Sequence, residues 1–288
     1  VGILDRLLDR RLPRDGDEAE RFLADAEAAF REGDVVHAVQ LAEDAVRSRR
    51  LEPAAEVRAL LIESRGLRVS ADRSWPMRLR ALRSAERASA LDPGSYAVSL
   101  ELGMACFDLG DMERAESCFR QSARLQPRSA RPWAMLGRAL PYLDRLEEAD
   151  ACAAAAAQLD PYRHAVPHRV DEEAFHAIAA AEWASIPAMY QEALGDTDVL
   201  IHPLPSREMI EHGFVTPTTL GVYSGGGRPR TAVSESQWLE QIILFQRIIE
   251  SYSRSRPELQ HQVRVTLRHE IGHNLGLDHA ALHEMGLD

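Results

Sequence analysis

The sequence predicts two domains of different class, an all-α helical repeat solenoid followed by a small α+β domain. A 34-residue period marks the first part, with Pro93, Pro127 and Pro161 spaced at that interval. Beyond Pro161 the period stops, and short β-branched runs appear between turn residues. At 288 residues the chain is long enough for two cores, taking about 100–200 residues per domain.

The period is clearest between GSYAVSLELGMACFDLGDMERAESCFRQSARLQP (94–127) and RSARPWAMLGRALPYLDRLEEADACAAAAAQLDP (128–161), which align without gaps. Leu102/Leu136, Gly103/Gly137, Ala115/Ala149 and Leu125/Leu159 recur at matching places. Small residues let paired helices approach, and a proline ends the second helix of each pair because it cannot continue one. With Trp133, Leu136 and Gly137 in a W-x2-L-G start, the pattern resembles the tetratricopeptide repeat, a helix–turn–helix unit. Phe22, Ala38, Ala42 and Ala45 fit a weaker first copy, and Ala81, Ala85, Ala88 and Pro93 the second half of another, with an irregular loop near 67–76. Four copies are expected across 17–161. One repeat cannot bury its own apolar face, so the copies must stack. The concave surface that stacking makes would take a protein partner, although such arrays also serve as plain scaffolds.

Composition narrows the function classes. A formal charge of −11 argues against nucleic acid, whose phosphates need a basic surface, and against a basic membrane-surface helix. No apolar run approaches the roughly 18–20 residues of a membrane span. The opening VGILDRLLDRRLPRDG reads as a short amphipathic helix and not as a signal peptide, because Asp5 and Asp9 interrupt its apolar stretch. Cys106, Cys118 and Cys152 are odd in number and fall in one helical region, so they read as core thiols in a reducing cytoplasm. The chain has no lysine, and Asn274 is its one asparagine, which suggests a high-GC bacterial genome.

The boundary is placed after Pro161, giving a repeat domain at 1–161, a linker at 162–170 and a second domain at 171–288. In the second domain, DEEAFHAIAAAEWASIPAMYQEAL (171–194) reads as a helix and a shorter one starting near Pro187. DVLIHPL (198–204), TLGVYSG (219–225) and QIILFQ (241–246) read as strands, being β-branched runs bounded by turn residues. The glycines of SGGGRPRTAVSES lack the Gly-Lys-Ser/Thr and following helix of a phosphate loop, so this stretch reads as a connecting loop. Helical spacing returns over 247–276.

That last helix carries RHEIGHNLGLDHA (268–280). His269 and His273 are four apart and so stack on one helix face, where two imidazoles can reach one Zn2+ at about 2.0–2.1 Å. Glu270 is rotated about 100° from His269, beside the metal's open position, where it can take a proton from water. Gly276 lets the backbone leave the helix and bring His279 back as a third ligand. Three protein ligands leave one position for water, the arrangement of catalytic zinc. The bland reading is a polar surface helix, but Gly272 and Gly276 each cost such a helix about 1 kcal/mol against Ala.

The whole string, H-E-x-x-H-x-x-G-x-x-H, sits in a segment that resembles the small bacterial zincin-like metallopeptidases called minimal zincins. IPAMYQEAL, TLGVYSG, QIILFQRIIESY, RVTLRHEIGHNLGLDH and AALHEMG carry the resemblance, which spans 171–288 and none of the repeats. It implies a compact α/β core with the motif helix beneath a short sheet, His269 and His273 as zinc ligands, Glu270 as general base and residue 279 as third ligand. Many members have Asp there, whereas this chain has His279 preceded by Asp278, so Asp278 is the alternative ligand or a partner that orients an imidazole. Met285 reads as core. His283 and Tyr223 are weaker candidates for stabilising an oxyanion, with packing or solvent as their default. His164, His168, His176, His202, His212 and His261 lack ligand spacing and read as surface.

The expected function is a cytoplasmic zinc peptidase whose repeats recruit a peptide or protein substrate or a protein partner. The alternative is an interaction protein whose zincin-like domain binds zinc but cleaves little.

Overall fold

In the computed structural model the chain divides into two compact units, Val1–Leu159 and Asp160–Asp288. The structure describes residues 16–71, 74–195, 197–224 and 241–274.

The described part of the first unit is helical: α1 (Gly16–Glu32), α2 (Val35–Arg47), α3 (Pro53–Val69), α4 (Trp75–Leu91), α5 (Tyr96–Asp108), α6 (Met112–Leu125), α7 (Ala130–Ala139) and α8 (Leu146–Leu159). A 3-10 turn at Leu140–Leu143 extends α7. The helices pack as consecutive hairpins, α1 with α2, α3 with α4, α5 with α6 and α7 with α8, and each hairpin packs on the next. This is the expected repeat solenoid. The irregular loop expected near 67–76 is shorter than that, because α3 continues to Val69.

The hairpin turns follow from a few residues. Gly33, Gly110 and Asp144 all have positive φ, at 85°, 81° and 57°. Glycine enters that region without steric cost, and Asp tolerates it better than most residues. Asp34 and Asp111 come next in two of these turns and cap α2 and α6, their carboxylates accepting from the amides of His37 and Arg114. The recurring glycines mark close contact between paired helices. A Cβ at Gly137 would lie 3.1 Å from the Ala149 carbonyl oxygen and 3.3 Å from the Ala153 nitrogen, so α7 meets the backbone of α8 there. At Gly103 it would lie 2.7 Å from the Phe119 ring.

Arginines tie neighbouring repeats together. Arg80 of α4 pairs with Glu43 of α2, Arg114 of α6 with Glu86 of α4, and Arg120 of α6 with Glu148 of α8. Each such partly exposed pair contributes about 0.2–1 kcal/mol at most. A buried group is more consequential: Arg68 of α3 donates to Asp108 at 2.7 Å and Glu101 at 3.2 Å, and Ser64 donates to Glu101. All four are buried, so loss of one partner would leave a charge or dipole unpaid in the core. The three cysteines are free, and burial pushes the Cys106 thiol up to about 12, as expected of an inert core residue.

The second unit holds α9 (Glu172–Ala184), α10 (Ala188–Leu194), β1 (Asp198–His202), α11 (Arg207–Glu211), β2 (Gly221–Ser224), β3 (Gln241–Phe245), α12 (Gln246–Ser251) and α13 (Arg256–Asn274). The sheet order is β1-β3-β2, with β1 parallel and β2 antiparallel to β3. The central strand is the most apolar, and Ile242, Ile243, Leu244 and Phe245 are all buried. Leu259, Val263, Leu267 and Ile271 repeat every fourth residue on α13 and enter the same core with Phe175, Ile178, Ile242 and Leu244. Residues 168–170, the end of the stretch read as a linker, are bound into this unit. The His168 amide donates to the Ser253 carbonyl, and the buried Glu250 accepts from Arg169 and from the Val170 amide.

Gly137→Val should lower the melting temperature of the repeat unit, at a cost of about 1–3 kcal/mol, the usual range for overpacking. Thermal unfolding followed by circular dichroism would measure it, and an unchanged transition would contradict the close approach of α7 and α8.

Candidate metal centre

The site is built on α13, whose apolar stripe at 259, 263, 267 and 271 fixes how the helix is rotated beneath the sheet. A second line of side chains, Thr266 and Glu270, is turned toward the edge strand β2. Contact there is close: a Cβ at Gly221 would lie 2.8 Å from Thr266 Cγ2 and 3.2 Å from the Ile243 carbonyl oxygen. Only glycine lets β2 sit this near the helix. The Thr266 hydroxyl donates to the Gln262 carbonyl, so no polar atom of that side chain is stranded in the contact.

One turn further along, Glu270 Oε2 accepts from the Tyr223 amide at 2.9 Å. Glu270 is 8 % exposed. Burial pushes its carboxyl above the ordinary carboxylate range, and the bond from the Tyr223 amide partly offsets this. The other buried carboxylates are held differently. Asp44 pairs with Arg47, Glu101 and Asp108 with Arg68, Glu182 with Arg264, and Glu250 with Arg169. Among the described residues no arginine or histidine pairs with Glu270. A buried carboxylate kept without a cation is costly to a fold and marks a functional site more often than a structural one.

His269 is half-buried on α13, next to Glu270. His273 lies one turn on within the same helix, so the two backbone positions share a face. The side chain of His273 and all of Gly276, Asp278, His279, His283 and Met285 lie outside the described residues. Among the described residues no three His, Cys, Asp or Glu side chains converge. The structure thus turns Glu270 toward β2, with His269 beside it along α13, and the ligand set expected at His269, His273 and His279 remains an expectation.

Tyr223 has a place that its residue type did not signal. Its side chain is partly buried against the core of the unit, while its main-chain amide holds Glu270. Contacts made by a strand's backbone leave no mark in residue identity, and Gly221 two residues earlier is the nearest thing to a signal. Of the histidines read as surface, His176, His202, His212 and His261 are exposed, and His164 and His168 are half-buried.

Two family models match parts of the chain. A family model described as zincin-like metallopeptidase matches residues 194–287, and one described as tetratricopeptide repeat matches residues 79–140. The chain therefore carries a tetratricopeptide repeat and a zincin-like metallopeptidase domain. That family implies zinc binding in general, and the repeats imply protein interaction. Among solved structures, MamA from Desulfovibrio magneticus RS-1 is 19% identical over 50% of this chain and 76% of its own, with a TM-score of 0.43. YrrB, described as a TPR protein with an unusual peptide-binding site, is 17% identical over 50% of this chain and 70% of its own, also at 0.43. These likenesses are too distant to say anything of this chain's ligands. No curated protein matches the chain. No described helix is long and apolar enough to cross a membrane.

The raised carboxyl of Glu270 has a consequence for stability. A buried acid ionises less readily than in the unfolded chain, so it weakens the fold as pH rises above the unfolded value of about 4.3, until its own folded value is passed. Glu270→Gln keeps an acceptor for the Tyr223 amide without the charge. In metal-free protein it should raise the melting temperature at pH 8, with the gain vanishing near pH 4. An equal effect at both pH values would show that burial does not oppose ionisation here.

Proposed function

We propose that the chain is a zinc-dependent peptidase in which residues 171–288 perform the chemistry and the repeats of 17–161 recruit the substrate or a protein partner. The observation that carries this reading is Glu270, a buried carboxylate with no cationic partner among the described residues, held by one oxygen on the motif helix. Its neighbours suit the metal that the family implies. His269 and His273 supply imidazoles at helical spacing, and the sequence offers His279, or Asp278, as the third ligand. Zinc bound there would polarise the scissile carbonyl and lower the pKa of a water toward neutrality.

The residues of the chain then divide the remaining work. The Tyr223 amide holds Oε2 of Glu270, which fixes the carboxylate and leaves Oε1 to receive the proton of the attacking water. The same carboxyl returns that proton to the departing amine. Burial suits it to taking the proton, because a carboxylate whose pKa is raised is a stronger base than an ordinary one. The free cysteines, with Cys106 and Cys152 buried, fit a reducing compartment such as the cytoplasm of a bacterium.

Three variants test the assignment through zinc content and hydrolysis of a diverse peptide mixture, read by mass spectrometry. Glu270→Ala should retain zinc and lose at least about 100-fold in rate, the low end for removal of a general base. His269→Ala and His273→Ala should lose both zinc and activity. Undiminished cleavage by Glu270→Ala would sink the proposal. Zinc retained by all three variants, with no cleavage by the parent protein, would favour an interaction protein led by its repeats.

A further inference from the structure

The repeat unit carries a groove that the packing of its hairpins does not fill. It runs along α2, reaches the end of α3 and is bordered by Arg80 of α4, and it encloses about 380 Å³. Part of its lining is apolar, from Val35, Val36, Val39 and Leu67. Val39 and Leu67 pack together and are buried, whereas Val36 is 65 % exposed. An apolar side chain left in the open beside a groove gains stability from any ligand that covers it.

The rest of the lining is ionic. One oxygen of Glu43 accepts from Arg47 at 2.8 Å and the other accepts from Arg80. Arg47 also donates to Asp44, at 3.2 Å. A single carboxylate therefore holds side by side two guanidiniums that would otherwise repel each other. The other bond of Arg80 among the described residues goes to the Met77 sulfur. Each arginine keeps N–H donors that no described residue takes, and both side chains border the groove.

Such a lining selects by charge. Two acids and two arginines balance, so a lone anion meets Glu43 and Asp44 as well as the arginines, and a lone cation meets the arginines as well as the acids. A zwitterion satisfies both signs. Its carboxylate can bridge Arg47 and Arg80, its ammonium can share an oxygen of Glu43, and apolar side chains can cover Val36 and Val39. The volume lies at the small end for ligand pockets, which suits a peptide of a few residues and excludes a folded domain.

We propose that this groove binds short apolar peptides with both ends free, the class of product that a peptidase releases. The choice of peptide as ligand rests on the peptidase reading above, while the need for both charges rests on the groove itself.

The test titrates metal-free, full-length protein with leucyl-leucine by calorimetry, beside the N-acetylated and the C-amidated dipeptide. Cleavage of a peptide mixture by zinc-loaded protein is assayed in parallel. The free dipeptide should bind saturably, and each capped form at least about 10-fold more weakly, because each has lost a charge-assisted bond. Val36→Glu alters an exposed side chain, so it should keep the parent's melting temperature and lose the binding. Equal binding of the capped forms, binding retained by Val36→Glu, or no saturable binding would overturn the site. Binding by a protein that cuts nothing would uphold the site and sink the peptidase reading, and cutting without binding would do the reverse.

Discussion

The second unit depends on how close β2 comes to α13. Gly221 removes the one atom that would hold them apart, and the Tyr223 amide then reaches the Glu270 carboxylate. Without that approach Glu270 would be a buried charge lacking any bond from the described residues. With it, the carboxylate is both costly and fixed, the state in which a proton acceptor is most useful. The stripe of Leu259, Val263, Leu267 and Ile271 supplies the stability that this cost draws on, because it buries one face of α13 along most of its length. Packing thus sets the rotation of the helix, and rotation decides that residue 270 faces the strand.

The two units are stabilised by different means. In the first, helical hairpins repeat, and glycines or an aspartate with positive φ close the turns. Arginine–carboxylate pairs between neighbouring repeats, partly exposed except for the Arg68 group, tie each hairpin to the next. In the second, a three-stranded sheet and one long helix enclose a single core, with Arg169 and Arg264 closing onto Glu250 and Glu182. Against this background of arginine pairing Glu270, which has no arginine partner among the described residues, is the exception, and it falls inside the His-Glu-x-x-His string.

Much of the fold was legible because it rests on local rules. The recurrence of Gly103 with Gly137 and of the closing prolines reports a helical hairpin, since each marks a point where backbones meet or a helix must stop. The strands near 198, 219 and 241 were readable from β-branched runs, and the motif helix from its spacing. What stayed hidden depends on tertiary contact. The short helix α11, the break in helical spacing between Ser251 and Arg256, and the clamp of Glu250 on residues 169 and 170 have no periodic signal. At the site, residue types and spacing identify candidates on one helix turn. They cannot report a bond donated by a strand's main chain, which is how Tyr223 acts.

Anomalous diffraction at the zinc edge, from crystals grown with zinc, would locate the metal. One strong peak is expected about 2.0–2.1 Å from imidazole nitrogens of His269 and His273. Glu270 should lie outside ligand distance and still accept the Tyr223 amide. The same map would show whether His279 or Asp278 completes the set. A peak bound by the Glu270 carboxylate, or one away from α13 altogether, would contradict the division of ligands from base.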